Sequence, residues 1–95
     1  MVKLYHLALW HEDVLLFEDR FCASSMRGAL RSANFRIRNF PGLSDVTFAN
    51  VLDTSDNLTQ SCRYMSAGKF ISRWMPVEKG EFNDVPNSIF GPGAD

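Results

Sequence analysis

A chain of 95 residues with a formal net charge of −1, from 10 Lys+Arg against 11 Asp+Glu, has room for one domain around a single modest core and not for two. Hydrophobic residues at 45% and charged residues at 22% are ordinary for a globular chain, and eight Phe, two Trp and two Tyr supply enough bulky apolar surface to fold without a disulfide or a metal. The slight acidity argues against a tight nonspecific nucleic-acid binder, which needs a strong positive excess. Apolar runs such as Val14–Phe17 fall far short of the ~20 residues that span a bilayer, so no membrane association is expected. No sustained apolar stretch of a secretory signal stands near Met1, and a cytoplasmic location is expected. Cys22 and Cys62 lie in no CxxC and have no histidines at ligand spacing. They read as buried or half-buried free thiols, and neither a metal nor a cofactor is expected.

Residues 2–10 are dense in bulky apolar side chains and predict a strand covered on both faces. His11-Glu12-Asp13 is a polar turn, and Val14 to Phe17 predicts a second short strand, so residues 2–21 form an antiparallel hairpin. Ser24-Ser25 then offers a helix N-cap. At about 100° per residue, Met26, Ala29, Leu30, Ala33, Ile37 and Phe40 share one side. That pattern predicts an amphipathic helix over about 25–39, stopped by Pro41-Gly42.

Asp45 to Asp53 predicts a third strand with Val46, Phe48 and Val51 inward, followed by turn chemistry at Thr54–Asn57. Residues 58–75 read two ways. One is a helix capped by Ser55 or Asp56 and running through Leu58, Cys62 and Met65. The other is a hairpin of Gln60–Met65 and Lys69–Met75 turned at Ser66-Ala67-Gly68. The hairpin is preferred, because Gly68 interrupts a helix while Phe70, Ile71 and Trp74 suit strands; Pro76 ends it. From Val77 onward Pro and Gly predict an irregular tail, which Ile89 and Phe90 could fasten to the body. The expected fold is α+β, an antiparallel sheet of four to five strands packed on one amphipathic helix. Residues 1–76 form the single domain and 77–95 the tail.

Charge is unevenly spread. Between Phe21 and Ser44 stand Arg27, Arg31, Arg36 and Arg38 and no Asp or Glu, and with Arg20 half of all Lys and Arg falls in residues 20–38. Helical projection puts Arg27, Arg31, Asn34 and Arg38 on one side, with Phe35 beside them and Arg36 on the far flank. A guanidinium is permanently charged and binds phosphate or carboxylate bidentately. The three stripe arginines span about 16 Å of helix. Phe35 could stack on an unpaired base, and Gly28, Ser32 and Asn39 keep the adjoining surface small. Arg27, Arg31, Asn34, Phe35 and Arg38 are therefore the candidate nucleic-acid or partner-binding residues. The competing reading is a solvated face whose arginines pair with Glu18, Asp19 or the tail acids Glu78, Glu81 and Asp84.

Other candidates are weaker. His6 and His11, near Glu12 and Asp13, are five residues apart on a strand and point to opposite faces, with no nucleophile placed by a motif. Asp53, Asp56 and Asn57 lack the Gly and terminal Glu of a calcium loop. Met65–Lys69 lacks the first Gly and the Ser/Thr of a phosphate loop. No catalytic residue and no enzymatic activity are expected.

Leu4-Tyr-His-Leu, Phe21-Cys-Ala-Ser-Ser-Met-Arg-Gly-Ala-Leu-Arg-Ser and Asp45-Val-Thr-Phe-Ala-Asn-Val-Leu-Asp53 follow one another in a layout that resembles small nonstructural proteins of gokushovirus-type microphages. The shared pattern is a short strand pair, a Phe-x-Ala-Ser lead-in to a helix containing Ala-x-Arg, and a strand ending in an acidic turn. It covers about residues 4–57 and departs where Asp56-Asn57-Leu58-Thr59 stands in place of Asp-x-x-Thr-Gly. The resemblance implies a phage accessory protein acting in single-stranded genome synthesis or packaging, with Arg27, Arg31 and Arg38 on the nucleic acid. The alternative is a protein-interaction module, an inhibitor of a host enzyme or defence complex. It would dock through the arginine face or through acidic turns (Glu12-Asp13, Glu18-Asp19, Asp53/Asp56) that mimic phosphates. Single-stranded nucleic acid and a host protein are thus the two expected partners. A homodimer is compatible with either, and a self-assembling structural protein is the third reading.

Overall fold

The computed structural model describes residues 2–55 and 59–77. Val77, the first residue of the expected tail, is instead paired with Gln60 in the sheet; the rest of that tail, 78–95, and the 56–58 part of the turn lie outside the described residues. The elements in chain order are β1 (Lys3–His11), β2 (Val14–Ala23), α1 (Met26–Arg38), β3 (Phe48–Asp53), β4 (Gln60–Ser66), β5 (Lys69–Phe70) and β6 (Met75–Val77), with a short 3-10 turn at Leu43–Asp45 between α1 and β3. Every strand pair is antiparallel. The sheet runs β2-β1-β3-β4, and the outer edge of β4 is shared by β6 and β5. The fold is the α+β arrangement of one helix on a small antiparallel sheet.

The second strand reaches Ala23 rather than stopping at Phe17. As the outer strand, β2 pairs with β1 from Lys3↔Ala23 to Leu9↔Phe17 and carries the charged Glu18, Asp19 and Arg20 at the sheet edge, where they meet water. Leu16 is an extra residue there, because Leu9 faces Phe17 while Trp10 faces Leu15. The third strand begins at Phe48, later than expected, since Leu43–Asp45 is wound as a 3-10 turn. Val46, Phe48 and Val51 are all buried, but Phe48 and Val51 belong to clusters on opposite sides of the sheet.

Residues 60–77 form the hairpin. Ala67 and Gly68 take φ of 51° and 81°, the doubly positive pair that the type I′ turn of a two-residue hairpin requires. Its return arm is interrupted. Met65 faces Phe70 while Cys62 faces Met75, so two additional residues are looped out around Ser72–Trp74. Pro76 sits inside β6 instead of ending the element. Among the described residues β6 has a strand neighbour on one side only, a position that tolerates the missing amide.

The helix forms where the apolar period and cap place it. Ser25 is the N-cap, its Oγ accepting from the Gly28 amide at 3.2 Å. The buried stripe is Ala29, Ala33 and Ile37, flanked by partly buried Met26 and Leu30. Two alanines let the helix backbone come close to the sheet, where Tyr5, Leu7, Leu9, Ala49, Val51 and Met65 complete the core. Full burial of a Leu or Ile side chain contributes about 1.5–3 kcal/mol. On the other face Phe48 and Cys62 pack with Trp10, Tyr64 and Val77, and buried Asn50 accepts the Trp10 indole N–H at 2.7 Å.

Both cysteines are free. Cys62 is buried, and burial pushes its thiol up to about 11, whereas Cys22 is exposed on edge strand β2, more open than its sequence suggested. Among the described residues no helix is long and apolar enough to cross a membrane.

Candidate anion-binding face

Helix α1 lies across the sheet so that its two flanks meet different strands. On the β2 side Arg36 donates from Nη1 to Asp19 Oδ2 at 3.1 Å, with its guanidinium 4.5 Å from the Phe21 ring centroid. Asp19 Oδ1 accepts the Arg20 amide at 2.9 Å. The arginine that pairs with Asp19 is therefore the one that helical projection set apart from the stripe.

The opposite flank faces β4 and the loop after β5. Asn34 Oδ1 accepts from Arg63 Nη1 at 3.1 Å and from the Trp74 indole N–H at 2.9 Å. Asn34 is thus an internal bracket rather than a solvent-facing contact. Arg63 also donates from Nε to the Ser72 carbonyl at 2.7 Å and stacks 3.6 Å from the centroid of Phe70, over which Arg38 also lies, at 5.6 Å. Burial, and then the neighbouring Arg38 charge, push the Arg63 guanidinium below its ordinary value. Arg27, Arg31 and Arg38 are exposed, and Phe35 is 69% exposed, the most open large apolar side chain among the described residues.

Ion pairs among the described residues are Lys3–Asp53 and Arg36–Asp19, and Glu18 is in hydrogen-bond contact with His6. Arg27, Arg31, Arg38 and Arg63 have no carboxylate partner there. Of the acids offered by the solvated-face reading, Glu18 is bound to His6 and Asp19 to Arg36; Glu78, Glu81 and Asp84 lie outside the described residues. Sequence reasoning missed Arg63, Phe70 and Trp74. The signal was present, since residues 59–77 hold Arg63, Lys69 and Arg73 and no Asp or Glu. That second acid-free segment is brought against the first only by the packing of α1 on β4.

The remaining polar groups are tied locally. His6 Nε2 lies 2.9 Å from Glu18 Oε1, in an open depression of about 270 Å³ lined also by Asp19 and Arg20. His11 Nδ1 lies 2.7 Å from the Asp45 carbonyl. Among the described residues no group of three or more His, Cys, Asp or Glu could hold a metal. Asp53 is 2% exposed and hence poorly placed to mimic a phosphate. Burial alone would raise its carboxyl, but the Ser55 hydroxyl and amide, together with Lys3, outweigh that and hold it below the ordinary carboxylate value. Compared with known proteins, the chain matches no family model, no curated protein and no solved structure.

Proposed function

We propose that this is a non-enzymatic binding protein of the phage-accessory kind that its layout resembles, acting in the host cytoplasm. On this reading Arg27, Arg31 and Arg38 contact the backbone of single-stranded nucleic acid. The observation that carries it is an arginine flank with no carboxylate partner among the described residues, beside a highly exposed Phe35. Guanidinium forks suit phosphodiesters. An exposed aromatic ring suits an unpaired base, where stacking contributes about 1–3 kcal/mol per base. A single strand is favoured over a duplex because only unstacked bases offer a face to Phe35. The net charge of −1 implies modest affinity.

The test is a titration of fluorescent oligonucleotide at low and raised salt. Saturable binding that favours single strand over duplex is expected, with log affinity falling against log salt at a slope of about −2 for three phosphate contacts. Absence of binding at low salt overturns the reading. A stoichiometric host protein retained after nuclease treatment would instead establish the interaction-module alternative.

A further inference from the structure

Arg63 is oriented entirely by neutral acceptors. Its Nε–H goes to the Ser72 carbonyl and its Nη1 to the Asn34 amide oxygen, while its plane lies on Phe70. Arg38 approaches the same ring and makes no hydrogen bond or ion pair among the described residues. Two like charges drawn to one aromatic ring repel each other, and the ring's quadrupole offsets only part of that cost. The position that most easily could relieve it is 34. Aspartate is isosteric with asparagine, would accept the same Arg63 and Trp74 hydrogen bonds, and would add a charge-assisted pair. Asparagine instead fixes Arg63 without neutralising it. Among the described residues, the Nη2 group of Arg63 and all donors of Arg38 are left for a further acceptor.

From this we infer that Arg38 and Arg63 form a preset phosphate-binding pair around Phe70, with Asn34 as the positioning residue that keeps the pair cationic. The inference rests on the nucleic-acid reading for its ligand, a phosphodiester of the single strand, and extends the site from α1 onto β4. It also explains the looped-out Ser72–Trp74 segment. That loop supplies the Ser72 carbonyl and the Trp74 indole, which together with Asn34 hold the Arg63 guanidinium in plane.

The experiment compares wild type with Asn34→Asp and Arg38→Gln in the full chain. Inorganic phosphate and a fluorescent single-stranded oligonucleotide are the probes, and the Arg63 Nε–H resonance is followed by NMR. Wild type should show that resonance shifting with either probe. Asn34→Asp should keep or raise the melting temperature, lose the phosphate-induced shift, bind oligonucleotide about tenfold more weakly, and show a salt slope reduced by about 1. Arg38→Gln, which leaves all three neutral bonds of the bracket intact, should weaken oligonucleotide binding in the same direction. Folded Asn34→Asp and Arg38→Gln proteins that bind both probes within twofold of wild type overturn the pair and leave the Arg27/Arg31 reading standing. A wild type that binds no oligonucleotide, yet still shows the phosphate shift at Arg63, overturns the nucleic-acid reading and leaves the pair standing.

Discussion

Arg36 and Arg38 stand two residues apart on one helix and meet opposite electrostatic surroundings. Arg36 turns toward β2, covers Phe21 and is neutralised by Asp19, which also closes the outward amide of Arg20. Arg38 turns toward β4 and finds Phe70 and a second guanidinium, with no carboxylate partner among the described residues. The β2 flank is built as a stability element, with charge matched and an edge strand protected. Among the described residues the β4 flank keeps its charge unmatched, which costs stability in isolation and is the condition a surface needs to attract an anion. Clustering of arginine in a sequence therefore says less than the distribution of carboxylates around each one.

The largest test of that contrast is charge reversal. Arg27→Glu with Arg31→Glu should weaken oligonucleotide binding by roughly a hundredfold, as expected when two phosphate contacts become repulsive, with a melting temperature close to wild type. Equilibrium titration beside thermal unfolding reads both quantities. Arg36→Ala should do the reverse, leaving affinity within about twofold while lowering stability by about 1 kcal/mol. Its pair is partly exposed and screened, and most of that loss comes from the packing on Phe21. An affinity loss at Arg36 equal to that at Arg27 and Arg31 would erase the distinction between the flanks.

Next in size is the β2 edge itself. In β1 the carbonyls of Leu4 and Trp10 point to the segment around β3, so the alternate residues of β1 face β2, and in β2 the amides of Glu18, Arg20 and Cys22 point outward. Asp19→Ala should cost about 1 kcal/mol and free the Arg20 amide, turning β2 into an open edge. Concentration-dependent association in sedimentation is the expected result. A variant that stays monomeric at high concentration would show that the bulge at Leu16 and the charges alone protect the edge.

The arginines and the sheet should also differ in pH response. Guanidinium does not titrate in the accessible range, whereas Asp53 at the end of β3, tied to Lys3 and Ser55, does. Its folded value lies below the ordinary 3.8. The stability it contributes is thus complete above that value and is lost as pH falls through the folded value. Acid unfolding from about pH 4 downward should be flattened in Asp53→Asn. An unchanged acid limb would assign that stability elsewhere.

The smallest expected effect is chemical. A thiol reagent at neutral pH should label Cys22 readily and leave Cys62 unmodified until unfolding, because burial holds the Cys62 thiol at about 11. Fast reaction at Cys62 would mean that the second cluster opens in the native state.

Much of the frame is readable from residue order alone. The period of Ala29, Ala33 and Ile37, the Ser25 cap and the Pro41-Gly42 stop specify α1, because helix geometry and capping are local. Gly68 and the aromatic residues after it specify the hairpin for the same reason. The extent of β2 was not readable, since Glu18, Asp19 and Arg20 are acceptable in a strand only at a sheet edge. Nor was the split of the return arm into β5 and β6, which depends on the Arg63 side chain donating to the Ser72 carbonyl and the Tyr64 amide donating to the Ser72 hydroxyl.

What the sequence determined by itself about a binding surface is the segregation of Arg27, Arg31, Arg36 and Arg38 from acidic residues, and the single helical face shared by the stripe. Charge order is a property of the chain, and projection onto a helix needs only 3.6 residues per turn. Tertiary structure decided which arginines lack a carboxylate partner among the described residues, and who joins them. Arg36 went to Asp19, Asn34 turned inward as a bracket, and Arg63 arrived from a strand 25 residues beyond Arg38. Those outcomes depend on which flank of α1 faces β2 and which faces β4. That choice is made by packing across the sheet, and no local sequence rule records it.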